Sequence, residues 1–279
     1  MLPSRGGFPR QKGTSMTGKT YSRDQLRGMN PEQAKAVTTT EGKVCVVAGA
    51  GSGKTMTLTE RYSLLVNEVG IAPGNIMCLT FTNKAANEMR SRIRKIIGDR
   101  DTGYICTFHG LCNQILKEDI HVIHYPKDFK ILDNSDVKTI LRAVYTDNQL
   151  TSQHMNYKKA MEMIRIRKSS DSCPPYYHEL IDLPTDKLKE KYDAATTVED
   201  IIYYGYLYNQ KKCYGLDYQD LLYFTLYVFQ TNKAVCEKWQ HRAEYIMVDE
   251  YQDIDRNQNV LVDIPSTSFW VRSSTVTIC

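Results

Sequence analysis

Apolar and polar positions along the chain alternate with two periods, and the two take turns. Lys43–Ala48 is a β-branched apolar run that predicts a buried strand, and Leu58, Tyr62, Leu65 and Val66 then recur at helical spacing. The same sequence of patterns returns. Asn75–Phe81 predicts a strand and Asn83–Ile97 a helix; Tyr104–Phe108 predicts a short strand followed by a helix from about Leu111. A last strand, Tyr245–Val248, runs into a cluster of acids. Ahead of the first strand, Asn30 is a good helix cap and Pro31 suits a first helical position, so a short helix through Ala36 or Val37 is expected.

Strands alternating with helices imply a parallel sheet, hence an α/β fold. Between about 116 and 214 the alternation stops. Segments 134–147, 155–168 and 197–210 read as helices, Pro174, Pro175 and Pro184 break the region into pieces, and no buried strand is evident. This stretch is expected to be a mostly helical insertion, 116–214, within an α/β domain formed by 25–115 and 215–279. Residues 1–24, rich in Gly, Ser, Thr, Lys and Arg, are expected to be a disordered arm, with Met16 an alternative start.

Composition narrows the picture only a little. The formal net charge of +4 permits a polyanionic partner without requiring one. The eight cysteines, at 45, 78, 106, 112, 173, 213, 236 and 279, show neither C-x-x-C spacing nor a histidine cluster. Buried reduced thiols in a cytoplasmic protein are the expectation, with no zinc site. No apolar stretch is long enough for a bilayer, so no membrane partner is expected, and the basic N-terminus lacks the apolar region of a secretory signal.

The candidate chemistry sits at strand ends. Ala48-Gly49-Ala50-Gly51-Ser52-Gly53-Lys54-Thr55 lies between a predicted strand and a predicted helix, the setting a P-loop needs. The glycines allow a tight turn whose N–H groups point at phosphate oxygens, and the helix N-terminus adds positive potential. Lys54 suits the β- and γ-phosphates of ATP, and the Thr55 hydroxyl suits Mg2+. Ala48 stands where the common motif has its first glycine, which the end of a strand tolerates. Asp249, closing the strand Tyr245–Val248, supplies the acid that holds Mg2+, and Glu250 is placed to orient the attacking water.

Asp249-Glu-Tyr-Gln-Asp253 resembles motif II of the UvrD/PcrA/Rep branch of superfamily 1 DNA helicases. Met29-Asn-Pro-Glu-Gln33 resembles the Q motif of that family, Leu79–Ala86 its motif Ia and Cys106–Gly110 its motif Ib. Leu216–Leu222 resembles the segment that follows the family's inserted helical subdomain. The resemblance covers about 30 to 258 in the family's order. It implies a RecA-like first motor domain, ATP hydrolysis with Mg2+, and 3′ to 5′ movement on single-stranded DNA and at single-/double-strand junctions. A kinase or GTPase would not account for motif II or for Gln33.

Carried over position by position, the resemblance gives Gln33 the adenine edge and Arg61 a nucleotide contact. Thr80, Phe81, Asn83, Thr107, Phe108 and His109 become DNA contacts, and Gln252 the link between γ-phosphate and DNA. Met56 departs from the basic residue often found after Gly-Lys-Thr. Lys158, Lys159, Arg165, Arg167 and Lys168, with Tyr157 nearby, form a basic stretch that suits duplex DNA or plain solvation. Tyrosines 203, 204, 206 and 208 are expected to pack the insertion. The family's next motif, G-D-x-D-Q-[ST]-I, should follow Asn259. Thr277 and Ile278 match its end, but Arg272, Ser273, Thr275 and Val276 replace its glycine, aspartates and glutamine. With no second motor domain in the 279 residues, the expectation is a piece of a helicase that does not unwind DNA alone. The alternative is a non-catalytic nucleotide- or DNA-binding remnant.

Overall fold

The computed structural model describes residues 28–49, 51–98, 101–169, 175–266 and 274–278. The expected arm, 1–24, lies outside them. In chain order the elements are α1 (Pro31–Thr38), β1 (Val44–Val46), α2 (Lys54–Leu64), β2 (Ile76–Thr80), α3 (Asn83–Ile97), β3 (Tyr104–Thr107) and α4 (Phe108–Asp119). Then come β4 (Lys130–Leu132), α5 (Asn134–Asp147), α6 (Tyr157–Lys168), α7 (Pro175–Leu180), α8 (Thr185–Asp193), α9 (Val198–Lys212) and β5 (Gly215–Asp217). The described chain closes with α10 (Tyr218–Thr231), α11 (Lys233–Arg242), β6 (Tyr245–Val248), α12 (Arg256–Ser266) and β7 (Ser274–Ile278).

Five strands form one parallel sheet in the order β1-β7-β6-β2-β3. The period-2 alternation of β2 divides the core. Ile76 and Cys78 face α2 and α3, packing with Leu58, Tyr62, Met89 and Ile93. Met77 and Leu79 face the opposite way, into a larger cluster with Leu111, Ile115, Trp239 and Leu261 that continues into the helical region. All five residues of β2 are buried, as expected of a central parallel strand covered on both faces.

Three expectations need correction. β1 is not buried on both faces: Val44 and Val46 pack inward, whereas Cys45 is exposed and Val47 is 84% exposed. It is the edge strand of the described sheet, and no described element covers its outer face. Phe108 is not strand but the first residue of α4, because Thr107 caps that helix by accepting the Gly110 N–H at 3.1 Å. The helical region, 116–214, holds a short strand after all: β4 pairs in parallel with β5, which lies just beyond its end. Gly215 is required there: a Cβ would lie 2.6 Å from the Leu132 side chain.

The end of the described chain is also a strand. Thr277 and Ile278 sit within β7, in register with Cys45 and Val46 of β1, rather than in a loop beyond it. Phe269 to Ser273 lie outside the described residues. Among the described residues no helix is long and apolar enough to cross a membrane.

Candidate nucleotide and DNA site

In a parallel sheet all strands present their carboxyl ends at one edge, where α/β folds bind ligands. β1 delivers the glycine-rich loop there and β6 delivers Asp249, with one strand, β7, between them. Gly51 and Gly53 have positive φ values of 74° and 86°, conformations that side-chain-bearing residues rarely adopt. Lys54 opens α2, so the loop amides and the helix N-terminus face the same space. Ala50 lies outside the described residues.

The two halves of the site touch. Lys54 Nζ donates to Glu250 Oε2 at 3.1 Å, and Gln252 Nε2 donates to the same oxygen at 2.7 Å. These two donors, Gln252 first, hold the Glu250 carboxyl below the usual range. Asp249 goes the other way. Burial raises its carboxyl and the adjacent Glu250 charge raises it further, against the Glu250 N–H and the Lys54 charge. Its backbone N–H donates to Leu79 O at 2.9 Å, which locks the end of β6 to β2. Glu250 itself has φ 51°, a left-handed conformation that costs about 1–2 kcal/mol in a residue with a Cβ. Such strain concentrates at functional sites.

The donor set fits Mg2+. Among the described residues no group of three or more His, Cys, Asp or Glu side chains gathers to hold a metal alone. Mg2+ bound with a nucleotide needs only one or two protein oxygens, the rest coming from phosphates and water. Asp249 and the Thr55 hydroxyl offer that set.

Gln33 lies against the loop. Its Nε2 donates to Ser52 O at 2.8 Å, and its Oε1 accepts the Asn30 N–H at 3.0 Å in a capping box. Gly53 makes this approach feasible, because a Cβ there would be 3.0 Å from Gln33 Nε2. Arg61 is not a solvated helix charge. It is 1% exposed, and its Nη1 donates to the carbonyls of Ala36 at 2.8 Å, Val37 at 3.4 Å and Thr39. It pins the end of α1 onto α2 and so positions Gln33. The sequence offered one signal for this: Arg61 falls within the apolar run Leu58, Tyr62, Leu65.

The residues expected to touch DNA separate into two groups. β2 and β3 pair Thr80 with Thr107, so Phe81 and His109 follow at the same sheet edge. Phe81 is 48% exposed, Asn83 is exposed and His109 is half-buried. Burial lowers the His109 imidazole below its ordinary value, with Asp255 opposing, and its ring meets Tyr218 edge-on at 5.8 Å. Tyr218, half exposed, was not singled out in the sequence, although it lies inside the Leu216–Leu222 segment. Phe108, by contrast, is 3% exposed and packs in the core. Thr80 is buried with its hydroxyl on Thr82 O at 3.1 Å, and Thr107 serves as a helix cap. Phe108 and Thr80 are thus buried at this edge, and Thr107 is half-buried there.

The basic stretch of α6 is largely neutralised. Arg165 pairs with Glu162 at 2.6 Å and Arg167 with Asp200 at 2.7 Å. Lys168 is fully buried, donating to Asp217 at 2.7 Å, Asp220 at 2.8 Å and Gln210 at 3.2 Å. It joins α6 and α9 to α10 rather than facing DNA. Tyr203 and Tyr206 are buried in the core of this region.

Comparison with known proteins agrees with this geometry. Residues 29–268 match the UvrD/REP helicase N-terminal domain. The chain is 35% identical over 245 residues to the ATP-dependent DNA helicase PcrA of Staphylococcus aureus, and 34% identical to that of Staphylococcus epidermidis. In both cases the match covers 88% of this chain and 32% of the relative, so the chain spans about a third of their length. Since the family match takes in the glycine-rich loop, Asp249 and the helical region between them, the chain belongs to the UvrD/REP helicase N-terminal domain family.

Proposed function

We propose that these residues are the first ATP-binding domain of a DNA helicase motor that moves 3′ to 5′ on single-stranded DNA. Residues 25–115 and 215–279 form the RecA-like unit, and 116–214 form its inserted subdomain. The observation that carries the reading is the 3.1 Å contact between Lys54 and Glu250, which brings the phosphate loop and the acidic strand end to one point.

In this reading the amides of Gly49–Gly53 and the Lys54 ammonium bind the phosphates of ATP. Thr55 and Asp249 hold Mg2+, which neutralises phosphate charge when bound. Lys54 leaves Glu250 for the phosphates, which frees the Glu250 carboxylate to accept a proton from water. Gln33 exchanges Ser52 O for the adenine edge. Gln252, bonded to Glu250 in this state, reports phosphate occupancy to the sheet edge where Phe81, Asn83 and His109 meet the DNA strand. Phe81 provides a stacking face.

The test is a linkage measurement. Affinity of the chain for a short oligothymidylate is measured with and without Mg2+ and a non-hydrolysable ATP analogue. A shift of about fivefold or more, lost in Lys54→Ala, supports a motor domain. Nucleotide binding that leaves DNA affinity unchanged rejects it in favour of a nucleotide-binding remnant.

A further inference from the structure

A cavity of about 880 Å³ lies between α5 and α6, away from the nucleotide site. Its floor is aliphatic, formed by Leu132, Val137, Met161 and Ile164. Its rim is cationic. Lys138 and Arg142 are one helical turn apart on α5, and Lys158 lies in the first turn of α6. All three are exposed, and none has a carboxylate partner among the described residues. The acids that border the cavity are already engaged, Glu162 with Arg165 at 2.6 Å and Asp217 with Lys168 at 2.7 Å.

We propose that this trough docks an acidic amphipathic helix of a protein partner. Two helices flanking an apolar floor make the groove in which a third helix is recognised through its apolar face. The three uncompensated cations then select a helix whose flanks carry Asp or Glu, because charge complementarity sets specificity and association rate. A nucleic-acid strand is a poorer match. It would need a run of exposed rings to stack on, whereas Tyr206 is fully buried, Tyr157 leans on Tyr145 with ring centroids 5.0 Å apart, and Tyr218, half exposed, is met edge-on by His109. This docking does not depend on the nucleotide reading.

The probe is a fluorescent helical peptide of about 18 residues with a leucine face flanked by glutamates, set against a scrambled peptide of the same composition. Anisotropy with the full chain should show micromolar binding of the patterned peptide, weakened by salt. The double reversal Lys138→Glu/Arg142→Glu should reduce that affinity at least about tenfold without changing the melting temperature. Lys138→Ala/Arg142→Ala and Met161→Glu serve as second variants should the reversal disturb folding, and each should also weaken binding. The proposal is overturned if the scrambled peptide binds equally well, or if folded variants bind the patterned peptide as the parent does. It is also overturned if the reversal weakens binding of an oligothymidylate while the peptide does not bind, which would give the groove to nucleic acid.

Discussion

The Lys54 ammonium rests on the Glu250 carboxylate at 3.1 Å, so the group proposed to bind phosphate and the group proposed to handle water hold each other. An incoming triphosphate has to break this pair. Replacing Glu250 by glutamine removes both the competing partner and a negative charge beside the phosphates. Glu250→Gln should therefore bind Mg2+-ATP several-fold more tightly by calorimetry. Any turnover present should fall by about a hundredfold or more.

Phe81 and Phe108 give a contrast that separates contact from core. Phe81 is 48% exposed and Phe108 is 3% exposed. Phe81→Ala should weaken oligothymidylate binding, with about 1–3 kcal/mol lost for one stacked base and stability nearly unchanged. Phe108→Ala should cost about 3–5 kcal/mol of unfolding free energy in a urea titration.

Arg61 is expected to matter for both stability and nucleotide selection. Its buried guanidinium satisfies the carbonyls that end α1. Arg61→Met leaves those carbonyls unpaired and should cost about 2–4 kcal/mol. Because α1 carries Gln33, the same variant should lose preference for ATP over GTP. A competition assay with folded protein below its melting temperature reads this directly.

The single Lys168 charge is shared by half-buried Asp217 and buried Asp220, so burial and the Asp217 charge raise the Asp220 carboxyl to about 7. Lys168→Met should destabilise the chain by about 3–5 kcal/mol, since removing one partner strands the buried charge of the others. Adding Asp220→Asn should recover part of that loss in chemical denaturation, which a purely steric effect of the methionine would not allow.

Acid should loosen the junction of α4 and α11. Arg242 and Lys238 hold the Glu118 carboxyl down at about 2, against an ordinary 4.5. A carboxyl depressed in the folded state contributes stability above its ordinary value and loses it as pH falls toward its folded value. The contribution is therefore complete above about pH 4.5 and fades between there and pH 2. Glu118→Gln should flatten that part of the stability–pH curve, and melting temperatures across the window measure it.

Most of the site was legible because its chemistry is local. A glycine-rich turn after one strand and adjacent acids after another are set by residues a few positions apart, and a parallel sheet carries both to one edge. What sequence periodicity missed depended on distant partners. Arg61 looks like any helix charge until α1 folds over it, and Lys168 looks like part of a basic face until Asp217 and Asp220 arrive from 49 and 52 positions away. β4 and β5 are three residues each, too short for alternation to register. β1 misled for the opposite reason: its apolar run matches a strand covered on both faces, yet it forms the edge of the described sheet.

The account stands on the loop at Lys54 and the carboxylate at Asp249 gripping one Mg2+-nucleotide. Binding of a fluorescent ATP analogue to the parent, Lys54→Ala, Asp249→Asn and the double variant, with and without Mg2+, tests it most directly. Lys54→Ala should lose at least about tenfold in affinity, Asp249→Asn should lose the enhancement by Mg2+, and the two effects should be coupled rather than additive. Unchanged affinity in Lys54→Ala, or full Mg2+ enhancement in Asp249→Asn, would contradict it.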